Sequence, residues 1–220
     1  MPDRTASPDD EAHEPLGKGA QTRQAVLQAA IDRFGRDGFR ATKIADVARD
    51  AGVGPTVTYA YFPNKEALFE AALDEDAAGA ISEAAAMTAE RMQAGDLSIA
   101  VVLGMVDAVE RHPLARRVLA GLEPHATARL LELPALEELR KFITEQLRHN
   151  QTIGLARTDI DPAVIANGIL SIMLSMLMSV LQFGVEEAAP YAVDVLAVFE
   201  AATGPVGPLS TPEPPGPAPG

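Results

Sequence analysis

The side chains that could carry chemistry in this chain are few, and their spacing argues against most catalysis. There is no cysteine among the 220 residues, so a thiolate nucleophile, a disulfide or a cysteine-ligated metal cannot be invoked. The four histidines, His13, His112, His125 and His149, are never spaced as metal ligands. Neither a Gly-x-Ser-x-Gly elbow nor a phosphate-cradling glycine loop occurs, and the acids are scattered over helix surfaces. No enzyme activity, metal or cofactor is therefore expected. The run Thr42 to Lys65, TKIADVARDAGVGPTVTYAYFPNK, stands apart. It crowds hydroxyls, phenols and lysines, the groups of non-covalent polar recognition, between glycine and proline breaks.

Short helices must position those groups. Ile44, Val47 and Ala48 set one helical face, and Ala51-Gly52-Val53 ends it, because glycine can take the positive φ of a sharp helix stop. Gly54 then falls at an N-cap with Pro55 at N1, where the missing N–H costs nothing. The second helix is expected over about Pro55 to Tyr61, ending before Pro63, whose ring disfavours helical geometry in the residue ahead. Asn64 re-caps at once, and a long helix begins at Lys65. Upstream, Val26, Leu27, Ala30, Ile31 and Phe34 recur at helical spacing and predict a first helix over about Thr22 to Asp37. Gly38 ends it, and Phe39 packs back into a small three-helix core.

The ordered series Thr42-Lys43-Ile44-Ala45-Asp46-Val47-Ala48, Ala51-Gly52-Val53 and Thr58-Tyr59-Ala60-Tyr61-Phe62-Pro63-Asn64-Lys65-Glu66-Ala67-Leu68 resembles the DNA-binding head of the TetR family of bacterial transcriptional regulators. The resemblance implies that the first helix braces the other two and that Thr42, Tyr61 and Lys65 contact phosphates, with Lys43 beside them. A helix N-terminus and a lysine both suit that role. Base reading would fall to the exposed face of the 55–61 helix, because a helix fits the major groove. Gly54, Pro55, Thr56, Val57, Tyr59 and Ala60 are the candidates. Core packing is the other reading of Tyr59 and Tyr61, and for Tyr61 it weighs equally with phosphate contact. Gly54, Thr58 and Ala60 depart from the usual family pattern, which has Ser or Thr, an aliphatic and a longer side chain there. Few strong hydrogen-bonding groups remain, so specificity should lean on methyl contacts, DNA shape and dimer spacing.

Charge is divided along the chain. The net charge is −13, yet residues 18–70 hold eight cations against six acids, leaving −15 for the remainder. A basic head on an acidic body orients toward a phosphate backbone. Residues 1–19 read as a disordered lead-in without the apolar core of a secretory signal. Residues 204–220, with seven prolines and four glycines, read as a tail that cannot bury enough surface to fold. Between them lie a head over 20–66 and a helical effector-binding and dimerisation body over 67–203, an all-α protein.

In the body, a long alanine-rich helix runs from 65 to about 94, with Gly79 placed to bend it. Asp96 caps the next helix, whose stripe is Ile99, Val102, Leu103, Val106 and Val109; His112-Pro113 stops it. A short helix spans Pro113 to Leu119 before Gly121. A pattern starting near Pro124 is interrupted by Pro134 and then runs about Ala135 to Thr152, with Leu136, Leu139, Phe142, Ile143 and Leu147 inward. Residues 164–183 carry no charge and are long enough to span a membrane. Asn167, Ser171, Ser175, Ser179 and Gln182 dilute them, and Asp161-Pro162 caps them like a soluble helix, so no membrane partner is expected. A helix apolar nearly all round is buried, in the monomer or between subunits. After Pro190 a last helix presents Ala192, Val195, Leu196 and Phe199.

The resemblance implies that two such helix pairs build a four-helix dimer interface. The small-residue ladder of Gly168, Ser171, Ser175 and Ser179 permits close approach, with Met178, Gln182, Val195 and Phe199 beside it. A dimer would set two reading helices on a near-palindrome, and in this family a ligand entering the body releases the DNA by favouring the DNA-incompetent arrangement. Met87, Met105, Val109, Leu119, Phe142 and Met173 either line such a ligand site or form plain core. His112, Arg116, Arg117 and His125 either orient a polar ligand group or are solvated. The expected partners are double-stranded DNA, a second copy and a small hydrophobic or amphipathic effector, for a cytoplasmic regulator that is most simply a repressor. The other reading is an all-α architectural or interaction protein that binds DNA or a partner helix without an effector.

Overall fold

The computed structural model describes residues 17–93 and 99–205. The expected lead-in up to residue 16, the Asp96 cap and the tail beyond residue 205 lie outside the described residues. Nine α-helices and two 3-10 turns, with no strand, make up the described residues, so the chain is all-α. Two compact units divide between Ala72 and Leu73, six residues beyond the boundary read from the sequence.

The first unit contains α1 (Lys18–Ala41), α2 (Ile44–Asp50), α3 (Pro55–Tyr61) and the first two turns of α4 (Lys65–Gln93). Helix α1 begins four residues before the expected Thr22, so Lys18 and Gly19 belong to the helix rather than to a lead-in. It breaks at Gly38, where φ is 82°, a value only glycine adopts cheaply. Val26, Leu27, Ala30, Ile31 and Phe34 are buried against Ile44, Val47 and Ala48. Leu68, Phe69 and Ala72 of α4 are buried too, and Phe69 meets Phe34 and Phe39 edge-on, 5.1 and 5.2 Å between centroids. These residues complete the aromatic centre of the head, which is why the division falls after Ala72.

The second unit contains the remainder of α4, then α5 (Ile99–Glu110), α6 (Pro113–Leu119), 3-10 turns at Pro124–Ala126 and Ala128–Glu132, α7 (Pro134–Thr152), α8 (Pro162–Phe183) and α9 (Val185–Thr203). Helix α8 packs against α5, α6, α7 and α9. Leu147, Ile165 and Ala166 form a core to which Ile143, Ile160, Ile169 and Ala202 are added. Of the stripe expected on α5, Val109 is buried and Val106 half-buried; the side chains of Ile99, Val102 and Leu103 lie outside the described residues. Phe142, expected inward, is 58% exposed, while Thr144 takes a buried position on α7. Helix α9 starts five residues before Pro190, which lies inside it and removes one backbone donor there.

Two tethers close this unit. Arg157 receives the end of α9: its backbone N–H donates to the Gly204 carbonyl at 3.1 Å and its Nη1 to the Ala201 carbonyl at 3.0 Å, satisfying acceptors that a helix terminus leaves open. Asp76, 5% exposed, accepts from the backbone N–H groups of Leu114 and Ala115 at 2.8 and 2.9 Å. A carboxylate on α4 thereby caps α6 from another part of the chain.

Candidate nucleic-acid interface

Local geometry sets helix α3. Gly52, at φ 70°, stops α2, and the Val53 N–H returns to the Ala48 carbonyl at 2.9 Å. Gly54 is extended at the N-cap of α3 and Pro55 occupies its first turn, as expected from their backbone preferences. Asn64 Oδ1 accepts the Ala67 N–H at 2.7 Å and starts α4. Helix α3 turns only Thr58 fully inward. Gly54, Pro55, Thr56, Val57, Tyr59 and Ala60 are all exposed, so the head offers one side of a seven-residue helix to a partner.

Thr58 is the one residue of that helix in the core, and its Oγ1 has no hydrogen-bond partner there. The position noted as aliphatic in the family pattern is thus an inward position in this chain. A hydroxyl gains nothing at such a site.

Thr42 corrects the expected phosphate set. Its side chain is only 2% exposed, and its Oγ1 donates to the Gly38 carbonyl at 2.8 Å. Its backbone N–H goes to the same carbonyl at 3.3 Å. Thr42 pins the linker between α1 and α2 and offers no hydroxyl to a phosphate; Lys43, exposed, stands at the N-cap of α2 instead. Tyr61 is half-buried, its hydroxyl alongside Gly19. Lys65 is half-buried with Nζ 4.4 Å from the centre of the Phe39 ring, a cation–π contact that holds the ammonium near the 39–43 linker.

Ion pairs occupy three further cations of the head. Arg33 bridges α1 to α2 through Asp50 at 2.6 Å and also reaches Asp37. Arg36 pairs with Asp37, and Arg49 with Asp46. Arg23 lies over the Phe62 ring at 5.3 Å. The Arg33–Asp50 pair was not visible as a pattern in the sequence, because the two are 17 residues apart and meet only when α1 crosses α2.

With this geometry in place, the comparisons are informative. The model for bacterial regulatory proteins of the tetR family matches residues 26–72, the span of the head core. Over those residues the chain is similar to the TetR family. The chain is 45% identical over 51 residues to the HTH-type transcriptional regulator RutR of Escherichia coli, a match that spans 23% of this chain and 24% of RutR. The uncharacterized HTH-type transcriptional regulator YdgC of Bacillus subtilis is 22% identical over 183 residues, 81% of this chain and 91% of that one. A solved structure from Mesorhizobium loti assigned to the TetR family covers 86% of this chain and 99% of its own at a TM-score of 0.59 and 19% identity, a likeness of fold.

In the second unit, the residues weighed as effector contacts do not converge. Val109 and Leu119 are core. Phe142 is on the surface. Met87, Met105 and Met173 are half-buried on separate helices. Arg116 pairs with Glu110 and Arg117 with the buried Glu123, with His125 3.7 Å from the other oxygen of that carboxylate. His112 is held in a polar cluster that the sequence did not disclose. Its Nδ1 lies 3.0 Å from Asp76 Oδ1, and its Nε2 lies 3.5 Å from Glu83 Oε1 without hydrogen-bond alignment. Gly79 makes room for the ring: a Cβ there would sit 2.4 Å from His112 Cε1. Close approach of the imidazole, rather than a bend, is what glycine provides at that position. Arg111 extends the cluster to Glu83 and Asp107 and draws the Glu83 carboxyl below its ordinary value by hydrogen bonding.

A concavity of about 890 Å³ lies between α8 and α9, lined by Ser171, Ser175, Met176, Ser179, Tyr191 and Val195 among others. It belongs to the face weighed as a dimer interface. Within one chain only Ile165, Ala166 and Val180 of α8 are fully buried, so of the two expected fates, burial in the monomer or between subunits, the first accounts for little of the helix. Gly168, Ser171, Ser175 and Gln182 are exposed; Met178, Ser179, Val195 and Phe199 are half-buried. The Ser175 and Ser179 hydroxyls donate to the carbonyls of Ser171 and Ser175 at 2.8 and 2.9 Å. Each is satisfied within its own helix, so the ladder can be covered without stranding a donor.

Proposed function

We propose that this TetR-family protein is a ligand-responsive, DNA-binding transcriptional regulator of the cytoplasm, a repressor that binds a near-palindromic operator as a homodimer and leaves it when a small hydrophobic or amphipathic effector binds the body. The observation that carries the reading is the head itself: a seven-residue helix standing out from a packed three-helix core with Thr56, Val57, Tyr59 and Ala60 exposed. Those side chains fit major-groove edges, Thr56 by hydrogen bonding and Val57 and Ala60 by contact with thymine methyls. Lys43, Lys65 and Tyr61 serve the flanking phosphates.

The α8–α9 face supports the dimer. A largely apolar helix of which only Ile165, Ala166 and Val180 are fully buried, with serine hydroxyls bonded within the helix at its centre, suits a two-fold contact with its own copy. One reading helix buries too little to be specific; two on one duplex face double the contacts and add a spacing requirement. Release by an effector needs only that the ligand prefer the arrangement in which that spacing is wrong.

A band-shift assay on the protein's own upstream region, with and without hydrophobic extract, tests the whole reading. A sequence-specific shift abolished by extract is expected. A specific shift that no extract releases would favour an architectural role, and an equal shift on every sequence at low salt would remove the regulator reading.

A further inference from the structure

We infer that Arg40 is a phosphate-binding residue of the head and completes a clamp with Lys43 and Lys65, whereas Arg36 and Arg49, equally basic in sequence, contribute almost nothing to DNA binding. This inference rests on the DNA-binding reading above and adds to it a residue and an exclusion. Its basis is how the fold distributes acids among the eight cations of residues 18–70.

Three arginines are already neutralised. Arg33 lies between Asp50 and Asp37, Arg36 grips Asp37 through Nε at 2.9 Å and Nη2 at 3.0 Å, and Arg49 holds Asp46 at 2.6 Å. Hydrogen bonding to Asp37 raises the affinity of Arg36 for its proton still further. An arginine that brings a carboxylate with it presents little net field to a phosphate and releases no net counterion when it approaches one. By contrast, Arg40 and Lys43 are exposed and have no acid within ion-pair distance among the described residues.

The linker is built to present them together. Phe39 is turned inward, stacked 6.1 Å from Phe34 and edge-on to Phe69. Thr42 is locked inside by two bonds to the Gly38 carbonyl. With both inward residues anchored, Arg40 and Lys43 are the polar side chains left to face out of a fixed loop. Lys65 joins them through space, because its ammonium rests on the ring of Phe39, the residue next to Arg40. Three positive charges thus flank one short linker at the beginning of α2: Arg40 and Lys43 stand three residues apart in it, and Lys65 rests on the residue before Arg40.

Fluorescence anisotropy with the full chain tests this, using a labelled duplex from the protein's own upstream region and an unrelated duplex of equal length across a salt series. Arg40→Ala should lower the slope of log K against log salt by about 0.9 per head, close to two for a dimer, and equally on both duplexes. Arg36→Ala and Arg49→Ala should leave the slope as in the parent, and Arg40→Lys should restore it. A parent-like slope for Arg40→Ala, or an equal drop for Arg49→Ala, would overturn the assignment while leaving DNA binding intact. Salt-independent behaviour of the parent on both duplexes would instead remove the DNA-binding reading and this one with it.

Discussion

Thr58→Val is the substitution that most directly tests how the head is built. The Thr58 side chain is fully buried and its Oγ1 meets no partner, so folding strips water from a hydroxyl without replacing its hydrogen bonds. Mutational data put that cost at about 1–3 kcal/mol. Valine has nearly the same shape and the same β-branching, so helix propensity and packing volume change little. The replacement should stabilise the protein by about 1–2 kcal/mol, which for a chain of this size is a rise in Tm of roughly 2–8 °C when the molecule melts cooperatively. Circular-dichroism melts of parent and variant measure it, and hydrogen exchange of the α3 amides locates it. Thr58→Ser keeps the hydroxyl and removes the methyl, so it should lower Tm. DNA affinity should be unchanged in Thr58→Val because the side chain faces away from the exposed side of α3. An unchanged or lowered Tm for Thr58→Val would show that the hydroxyl is paired in solution and refute the argument; a raised Tm with altered base preference would refute the inward orientation.

Other expectations follow from particular contacts. Val57→Ala should alter the preferred binding-site sequence without a comparable loss on non-specific DNA, measured by selection from a randomised duplex pool; an unchanged profile removes Val57 from the reading face. Asp76→Ala leaves two α6 N–H groups and the His112 ring without their acceptor, a cost of about 2–4 kcal/mol in a buried setting, read from chemical denaturation; a loss below about 0.5 kcal/mol would mean that α6 is capped in another way. Asp159 lies in hydrogen bonds to Arg157, which lower its carboxyl below the ordinary 3.8. Its stabilising effect is therefore present above that ordinary value and disappears as pH falls through the lowered one. Asp159→Asn should flatten the acid limb of a Tm-against-pH curve below about pH 4, by a small amount because the pair is exposed; identical acid limbs would contradict the contact.

Much of this protein was determined by local sequence. Pro55 and Tyr61 bound α3 as the breaks on either side require, because Gly52, Pro55 and Pro63 act on the residues next to them and need no partner elsewhere. Asn64 and Asp161 cap the helices they precede for the same reason, and Gly38 breaks the first helix where its spacing fails. The family resemblance was legible there too, since its residues are contiguous.

What only the tertiary structure decided involves pairs distant in sequence or two possible fates of one side chain. Thr42 had the right type and place for a phosphate contact, yet the Gly38 carbonyl lies close enough to take its hydroxyl inward. Asp76 caps a helix that starts 37 positions later, and no periodicity announces an acceptor that arrives through space. Phe142 fits the apolar spacing of α7 but falls just outside the arc that neighbouring helices cover. The same limit governs the basic residues of the head. A count of charges gives a net +2 for residues 18–70, but which cations are free to meet phosphate depends on which side chains point at a neighbouring carboxylate, as Arg36 and Arg49 do, and on the crossing of α1 and α2 that brings Asp50 to Arg33, and that geometry exists only in the folded chain.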